Sequence, residues 1–145
     1  MTAFADSSAL VKLYADEPGH ELVRALRLLA VSQLARVEVP AALWRKHRTG
    51  ELTPDQARVL AAEFEADYFG TAAGEPRFLV VAPVTAILDD AARLTAVHGL
   101  RAFDAVQLAS ACAVRSAAAS CTVFAAFDRG LLAAAAAEGF AVLPG

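Results

Sequence analysis

Cysteine is scarce in this chain, with Cys112 and Cys121 the only two among 145 residues. Two thiols cannot build a disulfide framework, and their spacing is not that of metal-ligand pairs, so they read as buried thiols. Lysine is just as scarce, with Lys12 and Lys46 alone. No uncharged apolar run reaches the roughly 18 to 20 residues of a membrane span. Asp6 falls early, with no basic stretch leading into an apolar run, so a signal peptide is not expected and a soluble, cytoplasmic protein is. Positive charge is also short: the formal net charge is −3 and the pI near 5.5. The overall balance therefore offers a polyanion no attraction, and any such partner would need a local basic feature. The densest is Arg45, Lys46, His47, Arg48, which reads equally as a helix C-terminus suited to the macrodipole or as a substrate-facing run.

Apolar residues are abundant. They make up 57% of the chain against 20% charged, which excludes disorder and suits one domain spanning residues 1–145. Short apolar segments bounded by turn signals read as strands at Thr2 to Ala5, near Leu29 to Ser32, Phe78 to Ala82, Thr122 to Phe127 and Ala141 to Leu143. Helical patterns lie between them: Ser7 to Ala15, His20 to Leu28, Gln33 to Thr49, Thr53 to about Phe69, Val84 to His98, Phe103 to Ser116 and Asp128 to Glu138. Thr53, Pro54 and Gln56 form a capping box with proline in the first turn. Strands alternating with helices imply a parallel sheet covered on both faces, with ligands beyond the carboxyl ends of the strands.

Four acids stand out against that frame. Asp6 and Asp128 each follow an apolar strand and open a helix, where either would serve as an N-cap worth about 1 kcal/mol. Glu38 and Asp104 are harder to place structurally. Glu38 shares a helical face with Leu34, Ala41 and Ala42, and Asp104 lies in line with Leu108 and Ala111. An unpaired carboxylate on such a face costs several kcal/mol. Arg36 and Arg101 are too few to satisfy all four, whereas a divalent cation would. The donors are all oxygen, which favours Mg²⁺ or Mn²⁺ over Zn²⁺ and phosphoester hydrolysis as the reaction.

At these residues the sequence resembles the PIN-domain family, and within it the VapC-type toxin ribonucleases. The segments Asp6 to Tyr14, Ser32 to Ala42, Gly99 to Ala109 and Phe127 to Arg129 carry the likeness, which spans nearly the whole chain. It implies a three-layer α/β/α fold with a central parallel sheet and a protruding helical hairpin. It also implies a Mg²⁺- or Mn²⁺-dependent endoribonuclease that leaves a 3′-hydroxyl and a 5′-phosphate and is held in check by a VapB-like antitoxin. By carry-over, Asp6 and Asp104 would hold the principal ion. Glu38 would ligate it or position the attacking water, and Asp128 would support a second, weaker ion. Ser8 is a candidate hydroxyl beside them.

Many relatives have Thr or Ser where this chain has Ala126, which leaves a catalytically degenerate RNA- or protein-binding PIN module as the alternative. The resemblance further implies a homodimer. On the hairpin, Leu43, Trp44, Phe64 and Tyr68 read either as core or as anchors for an antitoxin helix. A phosphoacceptor or phosphatase domain fits less well, because two serines follow Asp6 and a late lysine is missing.

Overall fold

The computed structural model describes residues 2–145. Five strands, β1 (Thr2–Ala5), β2 (Leu28–Ser32), β3 (Phe78–Val81), β4 (Cys121–Ala125) and β5 (Ala141–Leu143), form one sheet in the order β3-β2-β1-β4-β5. Every pairing is parallel. The side chains of β1 alternate between two cores, as a strand's period of two requires. Phe4 faces one core and stacks on its register partner Phe124 at 5.7 Å, while Ala3 and Ala5 face the other.

The Phe4 face is covered by α5 (Thr85–His98), α6 (Ala102–Ala117) and α7 (Arg129–Ala137), through Leu94, Leu108 and Leu131. The opposite face is covered by α1 (Ser7–Leu10), a 3-10 turn (Val11–Leu13), α2 (His20–Arg24), α3 (Ala35–Arg48) and α4 (Pro54–Phe69). Three layers result, as the alternation of strands and helices requires. Chain order reverses across β1, whose neighbours are β2 and β4, so the switch point of the sheet lies between β1 and β4.

Several boundaries differ from those expected. The first helix stops at Leu10 and tightens into the 3-10 turn, because Lys12 turns in to bond the Pro18 carbonyl at 2.8 Å and Tyr14 reaches Asp67 at 2.7 Å. The second helix ends at Arg24, and the chain is already extended by Leu28, which pairs with Thr2. Strand β4 ends at Ala125 rather than Phe127, since the Phe127 N–H leaves the ladder to donate to Ser8 Oγ at 3.0 Å.

The hairpin of α3 and α4 opens its second helix with the capping box expected at Thr53 and Gln56. Leu43 and Phe64 are fully buried and Tyr68 nearly so, with Leu43 and Phe64 in the core beneath the sheet. Of the two readings the sequence left open, core holds for these three, and they are not free to anchor a partner helix. Trp44 is half-buried, its ring edge-on to His47. Of the two thiols Cys121 is buried, whereas Cys112 is only half-buried.

Candidate active site

Strand β1 delivers Asp6 to the carboxyl edge of the sheet, where its backbone N–H donates to the Ala125 carbonyl of β4 at 3.0 Å. Asp6 caps α1, accepting from the Ala9 N–H at 2.9 Å and from Ser8 Oγ at 2.7 Å, both on Oδ1. The residue is 5% exposed. Burial pushes its carboxyl up to about 6; the hydrogen bonds from Ser8 and Ala9 oppose the rise, and the charges of Asp104 and Glu38 add to it. The fold thus holds a carboxylate where it is short of positive charge.

Glu38 lies in the first turn of α3 and is half-buried. The face expected to be buried or nearly so is instead the wall of a cleft, with Ala41 exposed and Leu34 and Ala42 only partly covered. Nor is its partner an arginine. Glu38 Oε1 accepts from Ser7 Oγ at 2.7 Å and from Gln107 Nε2 at 2.9 Å, and Gln107 also donates to Ser7 Oγ at 3.2 Å. These neutral donors fix the carboxylate without neutralising it. Gln107 is 3% exposed, and its own Oε1 is a buried oxygen with no partner.

Asp104 stands in the first turn of α6, half-buried. Burial raises its pKa; Arg101 opposes the rise, and the nearby Asp128 reinforces it. The Arg101 guanidinium lies 3.5 Å from Asp104 Oδ2 and equally 3.5 Å from Asp128 Oδ2, and its side chain is largely in solvent. Asp128 caps α7 through a 2.9 Å bond from the Leu131 N–H, so its capping role is present alongside any other.

Asp6, Glu38 and Asp104 line one cleft of about 540 Å³, with Arg45, Arg101 and Gln107 among the other walls. Asp128 does not line it and is joined to it through Arg101. Ser8, half-buried in the wall of the cleft, links the two strands at the switch point, because its hydroxyl donates to Asp6 and accepts from Phe127. Ala126 is fully buried, with no hydroxyl to add.

The basic run of α3 does not act as a unit. Lys46 pairs with Glu17 and Glu51, His47 Nδ1 meets the Leu52 carbonyl at 3.1 Å, and Arg45 alone reaches the acid cleft. Arg45 and Gln107 both sit at helical spacing from an acid, so the i+7 position after Glu38 and the i+3 position after Asp104 were readable signals. Ser7 offered none, since its partners come from two distant helices.

Among the described residues, no three His, Cys, Asp or Glu side chains stand close enough to form a ready-made metal cage. Mg²⁺ commonly takes only one or two carboxylates and keeps its remaining shell as water. The all-oxygen donors and the unmet negative charge around Asp6 and Asp104 suit such an ion.

The chain is 36% identical to ribonuclease VapC45 of Mycobacterium tuberculosis strain CDC 1551 / Oshkosh, over 97% of its own length and 94% of that protein's. The same figures hold for ribonuclease VapC49 of Mycobacterium tuberculosis strain H37Rv. In three dimensions it is similar to PAE2754 from Pyrobaculum aerophilum, with a TM-score of 0.64 at 23% identity, covering 99% of this chain and 85% of that one, a likeness of fold. No family model matches the chain.

Proposed function

The chain belongs to the VapC ribonuclease family, and from that premise we propose that it is a Mg²⁺- or Mn²⁺-dependent endoribonuclease, the toxin of a toxin and antitoxin pair. The observation that carries this reading is the convergence of Asp6, Glu38 and Asp104 on one cleft at the switch point of the sheet, with Asp6 buried and pushed up to about 6. Arg101 answers Asp104 only from solvent, and Asp6 and Glu38 are held by neutral donors, an arrangement that is costly unless further charge is supplied from outside.

In this reading Asp6 and Asp104 hold the ion and Asp128 contributes more weakly, through the edge it shares with Asp104 and Arg101. An ion held there would supply polarisation of the scissile phosphate and a lowered pKa for a bound water. Glu38 keeps Oε1 engaged by Ser7 and Gln107, which leaves Oε2 to orient the attacking water and accept its proton. Arg45 and Arg101 bring positive charge to the cleft walls, which is how a chain of net charge −3 would hold an RNA phosphate locally. A VapB-like antitoxin and a homodimer complete the proposal. Among the described residues no helix is long and apolar enough to cross a membrane.

The test is cleavage of a mixed RNA pool by wild type and by Asp104→Asn, each with Mg²⁺, with Mn²⁺ and with EDTA. Cleavage that needs the ion and disappears in the variant is the expected result. Equal cleavage by the variant, or cleavage in EDTA, contradicts the assignment.

A further inference from the structure

Beside the acid cleft lies a recess of different chemistry. It encloses about 300 Å³ and is lined by Gln33, Leu34, Val37, Glu38, Pro83 and Phe103. Phe103 directly precedes Asp104 on α6, yet 64% of it is exposed; Val37, directly before Glu38 on α3, is 71% exposed. The fold does not need either side chain for its core, and contiguous exposed apolar groups mark a binding surface. Two of the lining residues, Glu38 and Phe103, also line the acid cleft, so the two recesses share an edge. A chain bound with one phosphate at the acids would have a neighbouring nucleotide within reach of this recess.

We propose that the recess is a nucleobase subsite, in which the base of a nucleotide adjoining the scissile phosphate stacks on Phe103 and packs against Val37 and Pro83. This inference rests on the RNA-cleaving reading above and adds which part of the substrate is gripped and by what. Single-stranded RNA is recognised by stacking splayed bases on aromatic rings and by hydrogen bonds to their edges. Both elements are present, since the exposed Gln33 amide at the rim offers a donor and an acceptor to a base edge. Polarity divides the same way: the arginines that suit phosphates, Arg45 and Arg101, line the acid cleft and not the apolar recess. The backbone would therefore run through the charged cleft with the base turned into the apolar one.

Phe103→Trp places an indole reporter in the recess against a background of one native tryptophan, Trp44. In an Asp104→Asn background with Mg²⁺, a short mixed-sequence oligoribonucleotide should quench the new indole, and an abasic backbone of equal length and charge should not. Phe103→Ala should weaken binding of the oligoribonucleotide roughly 5- to 150-fold, the loss of one base stack, and leave binding of the abasic backbone unchanged. Absence of quenching, equal binding of the two oligomers, or no binding by either overturns the proposal. So does a shift from dimer to monomer by sedimentation in Phe103→Ala, which would make the recess an interface between copies. The two readings fail separately. Quenching without ion-dependent cleavage by the Asp104-intact protein sinks the nuclease reading alone, whereas normal cleavage and affinity in Phe103→Ala sink the stacking subsite alone.

Discussion

Asp6 and Glu17 stand at the two ends of the segment that holds α1 and the 3-10 turn, and both are drawn out of water, yet the fold treats them oppositely. Burial pushes both carboxyls upward. At Glu17 the rise is more than cancelled, because Lys46 pairs with one oxygen and Lys12 stands 3.4 Å from the other, leaving its pKa below the usual range. Lys12 is itself fixed by the Pro18 carbonyl and lies 4.2 Å from the centre of the Phe127 ring. Around Asp6 the donors are neutral and the nearby charges are acids. One acid has its counter-charges within the chain, and the other, on the proposed reading, takes one from outside. That difference separates a structural ion-pair network from a site, even though each contains buried charge.

The largest effect that sharpens this contrast is on cleavage. Asp104→Asn should lower RNA cleavage about a thousandfold, several kcal/mol of transition-state stabilisation, whereas Glu17→Gln should leave it within a few-fold; comparable losses in the two would erase the distinction.

Stability against pH comes next. With a folded pKa of about 6 against an ordinary 3.8, Asp6 binds its proton more tightly in the folded state. The stability it contributes is full below about pH 4 and is lost as the pH rises through about 6, which leaves a cost of about 3 kcal/mol at neutral pH without a cation. Denaturant unfolding in EDTA should show that decline in the wild type and a flattened profile in Asp6→Asn. Glu17 works in the other direction: its lowered pKa gives stability at neutral pH that is lost as the pH falls through that value.

Releasing Glu38 from its donors is a smaller perturbation. Gln107→Leu should reduce turnover about 10- to 100-fold, the usual effect of removing a partner that orients a reacting group, with the fold intact by circular dichroism. Smallest is Glu17→Gln measured by thermal melts. Because that pair is partly open to solvent, about 1 kcal/mol should be lost, from leaving Lys12 without its counter-charge.

Much of the architecture was legible because it rests on local chemistry. The Thr53 capping box, the left-handed Gly99 that ends α5 at φ +66° and the Asp128 cap all act within a few residues of chain. The four acids stood out locally as well, Asp6 and Asp128 by their place between strand and helix and Glu38 and Asp104 by falling on apolar helical faces. What could not be read was how distant segments answer one another. The donors to Glu38 come from Ser7 and Gln107, far away in sequence. The Ser8 hydroxyl that ends β4 early is contributed across the sheet. Gly19 shows the same limit: its φ of +89° marks a turn, but only the fold shows that a Cβ there would stand 2.6 Å from the Phe127 ring. For the aromatics of the hairpin the sequence left core and anchor both open, since composition cannot tell a core ring from a surface one, and the fold decides for core at Phe64 and Tyr68.

The central claim is that Asp6 and its neighbours await a cation while Glu17 already has one. Thermal melts at neutral pH, with and without Mg²⁺, of wild type, Asp6→Asn and Glu17→Gln test it most directly. The account predicts that Mg²⁺ raises Tm in the wild type and in Glu17→Gln and has little effect on Asp6→Asn. No shift in the wild type, or an equal shift in Asp6→Asn, would contradict it.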